Sequence, residues 1–213
     1  MLKKAIFDMD GLIFDSERAF MRCLGEVMRE YGYTLTDEIY IGTIGLSAKA
    51  ADARMKGIYG ADYPFDEISK RARSLMVQNA KNGLDVKRGI EHLLARLNER
   101  EIECCVASSS DTVYVKQYIK DAGLDKYFTD YTGGDRVSRS KPEPDIFLYA
   151  LGTAAADEAV IFEDSENGVK AGLAAGIRVI CIPDMKPLCA ELTEKVYAVA
   201  ADGFMAEALT EEM

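Results

Sequence analysis

Lys4-Ala5-Ile6-Phe7-Asp8-Met9-Asp10-Gly11-Leu12-Ile13-Phe14-Asp15-Ser16-Glu17 is the stretch from which the architecture can be read. Lys4 to Phe7 reads as a buried strand, and polar residues begin abruptly at Asp8. Two carboxylates two positions apart, just past a strand, can approach one point if the chain turns, and Gly11 permits that turn. A carboxylate can attack phosphorus and form an aspartyl-phosphate, while a second can protonate the leaving oxygen and later deprotonate water. Two acids held so close call for a cation, and a hard, oxygen-seeking ion such as Mg²⁺ suits them. Taken alone, the same Asp-x-Asp-Gly run also reads as a turn with Asx caps.

Outward from this stretch the strand signature recurs. Glu103-Cys104-Cys105-Val106-Ala107 ends at Ser108, and Ala159-Val160-Ile161-Phe162 ends at Glu163-Asp164. Arg178 to Ile182 is a fourth strand and Val196 to Val199 a fifth. Helical patterns cover about 88–100, 111–122, 143–156 and 165–175, with Gly123 and Gly176 placed as C-terminal caps for two of them. Strand–helix alternation predicts a doubly wound parallel α/β sheet. One stretch breaks the alternation: from Asp15 to about Leu84 the patterns are helical. Phe20, Leu24, Val27, Met28 and Tyr31 form a 3.6-period stripe that stops at Gly32, and residues 46–59 and 65–82 follow suit. The expected organisation is an α/β core of residues 1–14 and 86–213 with an all-helical insert over 15–85.

Three further polar clusters stand at predicted strand ends or before a helix. Ser108-Ser109-Ser110 offers a hydroxyl and fresh backbone N–H groups suited to phosphate oxygens; a serine helix cap explains the fragment as well. In Lys141-Pro142-Glu143-Pro144-Asp145 the lysine could neutralise phosphate and carboxylate charge, or be a solvated surface lysine. Glu163-Asp164 suits metal ligation or its support, or the acidic start of a helix. Each is modest singly, but together they line the edge where open α/β sheets build sites.

Composition narrows the partners. With 26 Lys and Arg against 36 Asp and Glu, the net charge of -10 repels phosphate backbones and anionic lipid, so neither nucleic acid nor membrane is an expected partner. No apolar run approaches the ~20 residues of a membrane helix, and the early Asp8 and Asp10 interrupt any export signal. Five cysteines without a Cys-x-x-Cys pair point to free thiols in a reducing, cytoplasmic setting. The single histidine, His92, lies in an amphipathic helix pattern. His-rich zinc sites are thereby excluded, and chemistry falls to carboxylates, lysine, serine and a metal.

The four motifs, in this order and with an insert after the first strand, resemble the haloacid dehalogenase-like superfamily, specifically its helical-cap phosphatases. The resemblance spans Ile6 to about Asp184, and its nearest subgroup is β-phosphoglucomutase together with pseudouridine 5′-phosphatase-like enzymes. It implies a Rossmann-like core, a helical cap that closes to exclude water, and Mg²⁺-dependent hydrolysis of a small phosphorylated metabolite. By position, it implies Asp8 as nucleophile and Asp10 as general acid/base. It places Ser108 and Ser109 on the phosphoryl group, with Lys141 bridging phosphate and Asp8. The implied metal set is Asp8, Asp10 (through its carbonyl), Glu163 and Asp164, and the implied cap contacts to substrate are Glu17, Gly45, Ser47 and Lys49. Lys49 also reads as a solvated helix residue.

The mutase pattern carries a histidine where this chain has Phe20, and an arginine where Gly45-Leu46-Ser47 is followed by Ala48. That departure favours hydrolysis of a sugar or nucleoside monophosphate, with a β-phosphoglucomutase-like phosphomutase as the alternative. A monomer is the expected state.

Overall fold

In a computed structural model, residues 1–80 and 83–213 are described. In chain order the elements are β1 (Lys4–Phe7), α1 (Ser16–Glu30), α2 (Asp37–Ile41), α3 (Ala48–Tyr59), α4 (Phe65–Ala80), α5 (Ile90–Glu99) and β2 (Glu103–Ala107). They continue with α6 (Thr112–Asp121), β3 (Asp130–Thr132), α7 (Asp145–Leu151), β4 (Ala159–Glu163), α8 (Glu166–Ala174), β5 (Arg178–Cys181), α9 (Ala190–Thr193), β6 (Ala198–Val199) and α10 (Gly203–Thr210). The last two residues of the expected helix 65–82 lie outside the described residues.

Among the described residues, six parallel strands form one sheet in the order β3-β2-β1-β4-β5-β6. Side chains alternate between its faces, as the two-residue period of a strand demands. Ala5 and Phe7 of β1, Cys104 and Val106 of β2, and Val160 and Phe162 of β4 pack with α5, α6 and α10. Ile6, Cys105, Ala107 and Ile161 pack on the opposite face with α7 and α8. Both faces being covered explains why the central strands read as continuous apolar runs. Phe7 and Phe162 stack at 4.6 Å across the β1–β4 pair.

The chain divides into two compact units, residues 1–15 with 84–213 and residues 16–83. In the helical unit α1 packs on α4, burying Cys23, Leu24, Val27 and Met28 against Ile68 and Ala72. Thr36 caps the short α2, which the sequence reading did not separate. Buried Tyr63 stands among Tyr33 and Tyr59 at 5.0 and 5.3 Å.

Other differences from expectation are local. β3 was not foreseen: it is three residues long, polar, and buries Thr132 alone. α7 is shorter than the pattern over 143–156, because Pro144 starts it and Gly152, at φ +63, ends it. Gly123 and Gly176 do follow α6 and α8 at positive φ. No helix among the described residues is long and apolar enough to cross a membrane.

Candidate active site

β2, β1 and β4 lie side by side, so their carboxyl ends bring Ser108, Asp8 and Glu163-Asp164 to one edge of the sheet. Lys141 reaches them from the segment before α7, across a cis Lys141–Pro142 peptide. Its Nζ donates to Asp8 Oδ1 at 2.5 Å, Glu163 Oε1 at 2.7 Å and the Ala107 carbonyl at 3.2 Å. The side chains of all three charged residues are less than a tenth exposed. The ammonium also sits 4.6 Å from the Phe147 ring centroid, a favourable cation–π contact.

Glu163 is held from its other oxygen. Oε2 accepts from Asp164 N and Ser165 N, both at 2.8 Å, and from Ser165 Oγ at 3.0 Å. Gly168 leaves room for this carboxylate, because a Cβ there would stand 1.6 Å from Glu163 Oε1. Asp164 stands against Gly11, where a Cβ would fall 2.2 Å from its Oδ2 and where the backbone takes φ +82. The turn after Asp10 thus needs glycine for both space and conformation. Asp10 Oδ2 accepts from Ser108 Oγ at 3.3 Å and Ser110 Oγ at 3.1 Å, while Ser110 N donates to Ser108 Oγ.

Burial pushes the Asp8 carboxyl up to about 8, with Glu163 and Asp10 adding to the rise and Lys141 opposing it. Burial likewise raises Asp164, reinforced by Glu163 and Asp8. Burial favours the neutral form of Lys141, yet Asp8 and Glu163 outweigh it and hold the ammonium charged. One lysine therefore faces more carboxylate than it can neutralise, and ionising Asp8 calls for further positive charge. Asp8, Glu163 and Asp164 each offer an oxygen within 4.8 Å of the others. Oxygen donors so grouped, with excess negative charge, fit a hard divalent cation.

In the helical unit, Tyr40 donates to Glu17 Oε2 at 2.6 Å. Glu17 and Gly45 line a cavity of about 250 Å³ with Phe20, Tyr40, Thr43 and Arg73 among others. Ser47 and Lys49 are not part of that lining: Ser47 caps α3 through Ala50 N, and Lys49 is exposed. In the sheet unit, the structure gathers Asp8, Asp10, Ser108, Lys141, Glu163 and Asp164, whereas Ser109 is exposed and Ser110 takes the place beside Asp10. A run of three serines carries no signal for which hydroxyls turn inward. Ser165, Gly168 and Lys87 were also missed as parts of the site. Only Ser165, a polar residue directly before a helix, had a readable local signature.

The family profile for haloacid dehalogenase-like hydrolases matches residues 5–182. A Drosophila melanogaster protein named "Probable pseudouridine-5'-phosphatase" is 31% identical over 84% of this chain and 80% of its own length. A "Phosphorylated carbohydrates phosphatase" of Thermotoga maritima is 25% identical over 84% of each. Among solved structures, a β-phosphoglucomutase from Clostridium difficile superposes with a TM-score of 0.71, covering 100% of this chain and 99% of its own at 18% identity, and shares the fold. With its matched span running from the first strand to just past the fifth, the chain belongs to the haloacid dehalogenase-like hydrolases.

Proposed function

We propose that the protein is a Mg²⁺-dependent phosphatase that hydrolyses a sugar or nucleoside monophosphate through an aspartyl-phosphate on Asp8. The observation that carries this reading is the buried Asp8–Lys141–Glu163 chain of charge beside Asp164, at the switch point of the sheet. The relatives' names, pseudouridine-5'-phosphatase and phosphorylated carbohydrates phosphatase, support the substrate class.

In the first step an Asp8 oxygen bonds to phosphorus while the phosphorus–oxygen bond to the leaving alcohol breaks. Asp10, entering as the acid, gives that alcohol its proton. In the second step Asp10, now a carboxylate, takes a proton from water. The water oxygen bonds to phosphorus, the bond to Asp8 breaks, and inorganic phosphate leaves. Ser108 and Ser110 orient Asp10 through Oδ2, and Lys141 holds Asp8 by Oδ1. Ser108, buried at the carboxyl end of β2, receives the phosphoryl oxygens, and the exposed Ser109 side chain takes no part. Mg²⁺ held by Asp8, Asp10, Glu163 and Asp164 would withdraw charge from those oxygens and offset the acidic cluster.

The test is phosphate release from a panel of sugar, nucleoside and polyol monophosphates, with Mg²⁺, with chelator, and with Asp8→Asn. Metal-dependent release that falls more than about a thousandfold in Asp8→Asn is expected. Multiple turnover by Asp8→Asn would remove the covalent mechanism. An isomeric sugar phosphate in place of free phosphate, from β-glucose 1-phosphate with its bisphosphate, would establish the phosphomutase alternative.

A further inference from the structure

Lys87 lies outside every motif of the site, yet its ammonium is built into it. Its backbone N–H donates to Ile13 O at 2.9 Å, beside the isolated Phe14–Val86 bridge, which brings it next to the turn that follows Asp10. From there Nζ donates to the Gly11 carbonyl at 2.7 Å and to Asp184 Oδ1 at 2.8 Å. The pair is enclosed, with side chains 17% and 5% exposed, and Asp184 Oδ2 is buried with no hydrogen-bond partner among the described residues. A part-buried pair whose other carboxylate oxygen has no partner among the described residues contributes little to stability. What it does secure is the orientation of Gly11, whose Cα faces Asp164 and whose rotation at φ +82 sets the direction of the Asp10 carbonyl before it.

We propose that Lys87, braced by Asp184, is a positioning residue that fixes the Asp10–Gly11 turn against Asp164 and thereby sets the affinity of the site for a divalent cation. This rests on the cation site of the preceding reading. Lys87 contacts the Gly11 carbonyl and Asp184 Oδ1 through Nζ. Its ammonium freezes one carbonyl, and the neighbouring peptide follows through the intervening glycine.

The experiment is calorimetric titration of the full chain with Mg²⁺ in the absence of substrate, alongside urea unfolding with chelator. The variants are Lys87→Met, Lys87→Arg and the double variant Lys87→Met/Asp184→Leu, which leaves no charge unpaired. The Mg²⁺ dissociation constant should rise about tenfold in Lys87→Met and in the double variant. Lys87→Arg should recover part of the loss. The double variant should unfold at a urea concentration closer to wild type than Lys87→Met does. A folded double variant that binds Mg²⁺ as tightly as wild type would reduce the pair to a structural contact and overturn the proposal. Absence of Mg²⁺ binding in wild type would instead overturn the underlying cation site, and the two failures are told apart by the wild-type titration alone.

Discussion

Asp8 carries a burden that is measurable without any substrate. An unfolded aspartate titrates near about 4, whereas burial holds Asp8 up to about 8 in the fold. Between those values the folded protein binds a proton that the unfolded chain releases, so stability of the metal-free protein falls as pH rises across the interval. The slope contributed by this one group is at most about 1.4 kcal/mol per pH unit. Urea unfolding with chelator at pH 5 and pH 8 should show the loss, and Asp8→Asn should flatten it. Saturating Mg²⁺ should flatten it as well, because a bound cation opposes the proton. An unchanged slope in Asp8→Asn would assign the titration elsewhere. Gly168 offers a second residue-scale test. A methyl 1.6 Å from Glu163 Oε1 forces that carboxylate off Lys141 or pushes α8 aside. Gly168→Ala should cost about 1–3 kcal/mol of stability and weaken Mg²⁺-dependent turnover together. A fully stable, fully active variant would mean that Glu163 has a second resting place.

At the scale of elements, α8 shows one residue serving helix and site at once. Ser165 Oγ accepts from Gly168 N at 3.1 Å as the N-cap of α8 and donates to Glu163 Oε2 at 3.0 Å. Ser165→Ala should therefore lose about 1 kcal/mol through the cap, with a fall in kcat as Glu163 loses one of its donors. Thermal melts and steady-state kinetics separate the two, and a loss of stability with kcat intact would confine Ser165 to the cap. The central strands were legible because burial on both faces writes apolar runs into sequence, and the polar residues at their ends marked Asp8, Ser108 and Glu163. β6 was read two residues too long, over Val196–Val199, and β3 was missed because a short edge strand takes its pairing from a neighbour's backbone, which side-chain patterns do not record. The inward turn of Ser110 in place of Ser109, and the reach of Lys87 beneath Gly11, come from tertiary geometry with no local signature.

For the whole molecule, the order β3-β2-β1-β4-β5-β6 puts the reversal of direction between β1 and β4. Successive crossovers leave β1 on opposite sides, opening a crevice at its carboxyl end. On the proposed function, a chain of net charge -10 must still admit an anion there, and Lys141 with a cation at the acidic cluster would supply attraction only at short range. The sheet unit closes upon itself where the helical segment leaves and returns. Asp15 N donates to Asp85 O at 2.9 Å, beside the Phe14–Val86 bridge and the Lys87–Ile13 bond. To the sheet, everything from residue 16 to 83 is one long hairpin loop whose two feet are already stapled together. Such a joint should act as a socket, letting its contents be exchanged without renegotiating the register of the strands. Replacing residues 16–83 by a short Gly/Ser turn should leave a chain that unfolds cooperatively and keeps its parallel-sheet circular dichroism, because shortening the loop lowers its closure entropy. A molten product would show that the socket needs its plug. A folded one would mark this seam as a place where new modules can be fitted to an unchanged sheet unit.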